Sequence, residues 1–339
     1  MAEQPKSKYL RKLLEQFPET SQRGIARIAY GEHPEWWTDY EAVRGNVRII
    51  CGTMGKTRRK KIIDKSLFRV RDDSHRPVEE FLPPCLSEYQ EDWGIYALPR
   101  GKKWLILSDI HVPWHDVNAL SVAINKGRDE GCDAVLLNGD VADMFSISYF
   151  KKDPTKTTII DERELTIRFF DSLRDLFPDV PIIWKLGNHE ERWEAYLTTK
   201  APELFGFSEF DVSEVFKAKV FDIETIGDKR PLSIGKLHIL HGHEFERGMF
   251  SPVNAARGLF LRALCTAATS HFHQTSFHTT PTVAQVDTSC WSIGCLCNLH
   301  PKYRPINRWN HGFAICDDSH TGESWSIYNF RIKDGEIRT

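Results

Sequence analysis

The chain has 339 residues and a formal charge of −2, with 45 Lys/Arg against 47 Asp/Glu. That balance excludes a histone-like arm, a long acidic tail and a supercharged chain. Hydrophobic residues at 41% and aromatics at 12% exclude wholesale disorder. The near-zero total hides an asymmetry. Residues 1–76 hold 17 Lys/Arg and 10 Asp/Glu, a net of +7, whereas residues 77–339 hold 28 and 37, a net of −9. A basic front and an acidic back indicate two parts with different jobs.

Residues 1–76 read as a small all-α unit. Ser7–Phe17 is amphipathic and stops at Pro18. A second helix starts after Thr20 or Ser21, carries Ile25, Ile28 and Ala29 on one face, and should stop at Gly31. Thr38 and Glu41 have the spacing of a capping box, with Val43, Val47 and Ile50 following at helical intervals. Three short helices on one core resemble a helix-turn-helix unit. Lys56, Arg58, Arg59, Lys60 and Lys61 come next, in a stretch without acidic residues, and are candidate nucleic-acid contacts. Residues 77–100 contain Pro77, Pro83, Pro84 and Pro99 and read as a connector.

Residues 101–339 alternate strands and helices. Strands are expected at 103–108, 133–138, 181–186, 236–240 and 263–270, with helices at 117–131 and 161–177. Residues 290–297, 312–316 and 324–332 look like later antiparallel strands. Residues 193–230 are expected to form a helical cap. Apolar strands separated by helices indicate an α/β fold with helices over the sheet faces. No run approaches the roughly 18 apolar residues of a membrane span. The N-terminal residues lack the apolar stretch of a signal peptide, so a cytoplasmic location is expected. The eight cysteines form no CxxC pair, which argues against a zinc ribbon and for reduced, structural thiols. Cys295 and Cys297 alternate and should share a strand face.

The residues that carry chemistry stand just beyond each strand. The first strand leads into Asp109 and His111, the second into Asp140, and the third into Gly187-Asn188-His189-Glu190. The fourth leads into His241-Gly242-His243 and the fifth into His271 and His273. Open α/β sheets gather their sites at the carboxyl ends of strands, so these side chains should meet in one crevice. Carboxylates, an amide oxygen and imidazoles make a mixed O/N donor set. It suits divalent Mn, Fe, Zn, Co or Ni better than Ca or Mg. Seven donors exceed one ion and suit two ions sharing a carboxylate.

The series D-x-H, G-D, G-N-H-E, H, x-H-x-H resembles the calcineurin-like metallophosphoesterases over about residues 101–330. The resemblance implies a sandwich of two mixed β-sheets flanked by helices with a dinuclear centre between them. It implies Asp109, His111 and His273 at one ion, Asp140 bridging, and Asn188, His241 and His271 at the other. Mn²⁺ is the first expectation for both ions. His189 would contact the substrate phosphate, and a metal-bridging hydroxide would attack phosphorus in line. Ser270 departs from the family's usual Gly and is expected to be tolerated. Asp143 is a candidate acceptor for a ligand imidazole, with capping of the next turn as the equal alternative. The S-D-I-H-V-P and G-D-V-A-D-M-F segments depart from the Ser/Thr protein phosphatase pattern. They are similar to metallophosphoesterases of bacteriophage and prophage genomes. The expected function is a phosphodiesterase or nuclease acting on nucleic acid or nucleotides. The alternatives are a phosphomonoesterase for a nucleotide or other small ester, and a DNA-binding protein with an idle phosphoesterase fold.

Overall fold

Successive residues of the apolar strands bury on opposite faces, and that alternation fixes the layers of residues 90–339 in a computed structural model of the chain. The structure describes residues 5–69, 94–150, 153, 155–227, 229–245, 253–319 and 325–338. The chain divides into two compact units, residues 1–89 and 90–339.

In the first unit, α1 (Pro5–Gln16), α2 (Gln22–Glu32) and α3 (Tyr40–Ile50) close on Leu10, Leu14, Ile25, Ala29, Val43 and Val47. A short α4 (Lys56–Arg59) comes after them. Two local readings are corrected. The α3 N-cap is Asp39, whose carboxylate accepts from Ala42 N at 2.7 Å; Thr38 is not the cap. Helix α2 runs through Gly31 to Glu32, because Gly31 does not take the left-handed φ with which a glycine closes a helix. Pro77, Pro83 and Pro84 lie outside the described residues.

The second unit contains two mixed sheets, one of seven strands and one of six. The parallel half of the larger sheet is β2 (Lys103–Leu107), β3 (Ala134–Asn138), β4 (Ile182–Lys185) and β5 (Ile223–Ile226). Its antiparallel half is β11 (His311–Asp317), β12 (Ser326–Lys333) and β13 (Glu336–Arg338). Its strand order is β13-β12-β11-β2-β3-β4-β5. The smaller sheet comprises β1 (Tyr96–Ala97), β6 (Leu232–Ile234), β7 (Leu237–Ile239), β8 (Ala267–Thr269), β9 (Ser276–Pro281) and β10 (Asp287–Ser292). Its order is β1-β6-β7-β8-β10-β9.

Trp104, Ile106, Leu136 and Ile183 face the second sheet, where Leu232, Ile234, Leu237 and Ile239 meet them. Leu105, Leu107, Leu137 and Trp184 face the opposite way and pack in the cluster that includes α5 (Val117–Asp129) and α6 (Ile159–Leu176). Each such side chain, fully buried, contributes about 1.5–3 kcal/mol.

Three expectations change. The apolar run 263–270 splits into α9 (Ala255–Ala263) and β8, with Leu264 at φ 53° turning the chain between them. Residues 193–230 include α7 (Glu191–Lys200) and α8 (Val212–Val215), but also β5, which pairs in parallel with β4. Ile223-Glu224-Thr225-Ile226 was hard to read because only its two end residues are buried, as suits an edge strand. Cys295 and Cys297 fall beyond β10, in isolated bridges to His311 and His115, not on a strand face.

Candidate metal centre

Each motif residue sits where a strand of the sandwich has ended. Asp109 and His111 come after β2, Asp140 after β3, and Asn188 and His189 after β4. His241 comes after β7, while His271 and His273 come after β8. Asp109, His111, Asp140, His271 and His273 all lie at positive φ, between 50° and 60°. Each left-handed non-glycine residue costs on the order of 1–3 kcal/mol and persists only where its surroundings over-determine it. The strain turns consecutive side chains out of the strand direction and into the space between the sheets. Two glycines are required by close approach. A Cβ on Gly139 would stand 2.3 Å from His241 Nδ1, and one on Gly187 would stand 2.3 Å from Asp140 Oδ1.

The seven predicted donors come together. His273 Nε2 is 3.0 Å from Asp109 Oδ1 and 3.3 Å from His111 Nε2. His111 Nε2 is 3.8 Å from Asp140 Oδ2. On the other side, His241 Nε2 is 3.3 Å from Asp140 Oδ2 and 3.3 Å from Asn188 Oδ1. His271 joins Asp140 and His241 in one tight group of donor atoms, all within 4.8 Å of one another. Asp140 thus belongs to both lobes of the cluster.

The backs of the rings are held. His111 Nδ1 meets Asp143 Oδ1 at 2.9 Å, and His241 Nδ1 donates to the Asn138 carbonyl at 2.8 Å. Such partners orient imidazoles and direct their other nitrogen inward. Of the two roles open to Asp143 in sequence, the contact to an imidazole is the one seen, and to two rings: its Oδ1 is also 2.9 Å from His189 Nδ1. Ser270, the departure from the motif, is fully buried and accepts from Asn138 Nδ2 at 2.8 Å.

Electrostatics fit a cation in this space. Among the described residues, the counter-charges within 4.0 Å of the buried Asp109 and Asp140 are all imidazoles. Burial works against ionised Asp140, but His189, His241 and His111 outweigh it and hold the carboxyl well below its ordinary value. Burial likewise opposes the His241 imidazolium, while Asp140 overrides it and pushes the ring up to about 10. Burial and then His241 press His271 down to about 3, so that ring is neutral. His271 Nδ1 is buried without a hydrogen-bond partner, and Asp109 Oδ1 has the His273 imidazole at 3.0 Å. Buried carboxylates and imidazoles gathered on one space, with protons that a cation would displace, are the donor chemistry of a divalent transition metal.

Four side chains that the motif series does not assign support the centre, beginning with Glu190. It is fully buried, and its carboxylate accepts from Gly187 N, Asp140 N and Ala142 N at 2.8, 3.0 and 2.9 Å. One side chain thus ties the Asn188–His189 turn to the Asp140 turn. Burial, then Asp140, push its carboxyl up to about 7. Glu244 does the same for the fourth turn, accepting from His241 N and Gly242 N and pairing with buried Lys185 at 2.9 Å. Arg192 donates to the Asp143 carbonyl at 2.7 Å and to His189 Nε2 at 2.9 Å. The Cys297 thiol lies 3.8 Å from His273 Nδ1 and groups with His111 and His273. Glu190 follows His189 and Glu244 follows His243, which marks their place in the chain but not the partners they hold.

Residues 102–291 match the family model for the calcineurin-like phosphoesterases. The chain belongs to that family. Among solved structures, it is similar to Vacuolar Protein Sorting 29 from Cryptosporidium parvum, at 12% identity and TM-score 0.37, covering 71% of this chain and 96% of that one. The E. coli phosphoesterase Yfce shows 12% identity and TM-score 0.31, with 63% and 87% covered. A Pseudomonas putida nuclease, MPE, shows 9% identity and TM-score 0.29, with 69% and 85% covered. No curated protein matches the chain.

Proposed function

We propose that the chain is a metal-dependent phosphodiesterase acting on nucleic acid or nucleotides. The observation that carries this reading is the sharing of Asp140 between two donor groups, one holding His111 and the other His241 and His271. Asp109, His111 and His273 would hold one divalent ion, and Asn188, His241 and His271 a second, with Asp140 common to both. Mn²⁺ is the first candidate for each. Two such ions supply Lewis acidity at phosphorus and lower the pKa of water for in-line displacement.

The chain's own residues do the rest. Asp143 takes the Nδ1 proton of His189, which leaves Nε2 as the acceptor of the Arg192 hydrogen bond. A phosphate oxygen drawing Arg192 away would free Nε2 to face the ester. With Nδ1–H held by Asp143, His189 would take up a proton from solvent at Nε2 and, as the imidazolium, stabilise the developing charge or give that proton to the leaving oxygen. Glu190 and Glu244 keep the turns from relaxing, so the site is pre-organised before substrate arrives.

The basic segment supports a nucleic-acid partner. Lys56, Arg58, Lys60 and Lys61 are exposed, as phosphate contacts require. Arg59 is partly used internally, donating from Nε to the Gly52 carbonyl.

The test is hydrolysis of bis-p-nitrophenyl phosphate, p-nitrophenyl phosphate and labelled DNA and RNA strands by protein loaded with Mn²⁺. Diester cleavage that disappears in His189→Ala is the expected result. Monoester turnover without diester cleavage would move the assignment to a phosphomonoesterase. No turnover at all would favour a binding protein with an idle fold.

A further inference from the structure

Residues 288–316 contain no Asp or Glu, in a unit that is otherwise rich in them. Within that stretch, residues 298–310 form a loop whose two ends are fastened to the metal-cluster turns. Asn298 N donates to the Trp114 carbonyl at 2.8 Å, just beyond His111. Asn310 N donates to the carbonyl of His273 at 2.9 Å. The loop is also braced within itself. Asn307 Nδ2 donates to the Leu299 and Arg304 carbonyls, and the side-chain carbonyl oxygen of Asn307 accepts from Trp309 N.

This scaffold presents basic and aromatic residues in alternation: Lys302, Tyr303, Arg304, Arg308 and Trp309. Trp309 lies against the His273 imidazole, ring centroids 4.2 Å apart. Tyr303 stands 6.4 Å beyond Trp309, and the Arg304 guanidinium lies 5.9 Å over the Trp309 ring. Tyr303 is 74% exposed. Burial first, and then the Asp143 charge, push its hydroxyl up to about 12 against the opposing Arg192 and Arg304. An exposed aromatic ring within reach of a phosphoester site, with cations on either side of it in sequence, has no packing role in the core. Stacking of successive bases on such rings, with the backbone held by Lys and Arg, is how single strands are bound without sequence preference.

We infer that residues 298–310 are a docking arm for single-stranded nucleic acid, on which Tyr303 stacks a base next to the scissile phosphate while Arg304 holds a neighbouring phosphate. This rests on the phosphodiesterase reading and narrows its substrate class. Charge complementarity selects a polyanion, and the exposed ring selects one that carries bases.

The experiment uses the full chain in EDTA, so that no strand is cut. Binding of a fluorescein-labelled oligo-dT is compared by anisotropy with an abasic strand of the same length and charge. The wild-type chain should prefer oligo-dT. Tyr303→Ala should weaken oligo-dT binding by about 5- to 10-fold and leave the abasic strand unchanged, as expected for one lost stack. Tyr303→Phe should restore it. Arg304→Ala should weaken both strands alike and lower the salt slope by about one. Equal losses on the two strands with Tyr303→Ala, or no loss on either, overturns the docking arm. Cleavage is then measured with Mn²⁺ added. Cutting of both strands with equal kcat/KM overturns base stacking and leaves the phosphodiesterase reading intact. A Tyr303-dependent dT preference without any cleavage has the opposite meaning: the arm stands and the hydrolase reading falls.

Discussion

The two units of this chain place their polar residues in opposite ways. Among the described residues of the helical unit, every buried side chain is apolar, and charge lies at the surface. In the second unit Asp109, Asp140, Glu190, His241 and Lys185 are all buried, at 1% exposure or less. The first unit is therefore held by packing, with Lys56, Arg58, Lys60 and Lys61 exposed. The second carries strained turns and desolvated charges that only a dense hydrogen-bond network, and a bound cation, can offset. Substitutions should consequently trade stability against function differently in the two units.

The largest effect is expected at Asp140. Asp140→Asn removes the carboxylate common to both donor groups, and diester hydrolysis should fall by at least about 10³-fold, the scale of losing a principal charge-stabilising group. Steady-state kinetics at saturating Mn²⁺ checks this; residual activity near wild type would place the chemistry elsewhere. Next come the buried clamps. Glu190→Ala strands three N–H donors, at Gly187, Asp140 and Ala142. It should cost about 3–5 kcal/mol in denaturant unfolding. Lys185→Met leaves the buried Glu244 carboxylate without its lysine, with an expected cost of about 3 kcal/mol. A clamp variant that unfolds like wild type would mean the turns hold themselves.

The helical unit should answer more quietly. Asp39→Ala deletes the α3 N-cap bond to Ala42 and should cost about 1 kcal/mol. Smallest of all, the Lys60→Ala, Lys61→Ala pair should change stability by less than about 0.5 kcal/mol. Its signature is instead a lower salt slope of nucleic-acid binding, by up to about two. An unchanged slope would make the basic segment a solvated surface and erase the functional half of the contrast.

The centre was legible because the fold writes it at strand ends. Runs such as Trp104–Leu107 and Val135–Leu137 are recognisable as doubly buried strands, and the residue types just beyond each one complete a single donor set. The residues that escaped notice depend on partners far away in sequence. Glu190 reaches back to Asp140 and Ala142 across |i−j| of 50 and 48, so nothing local distinguishes it from an exposed first-turn glutamate. The arm at 298–310 lacks periodicity, and its place beside His273 is set only by the bonds that fasten its two ends. Apolar content misled at 263–270, where one run supplies the end of a helix, a left-handed turn and a strand.

The central claim is that Asp140 is shared by two ions. Calorimetric titration of the chelator-treated full chain with Mn²⁺, repeated on Asp140→Asn, tests it most directly. The account predicts two ions per wild-type chain and loss of tight binding at both sites in the variant. One ion per wild-type chain, or two retained without the Asp140 carboxylate, would contradict it.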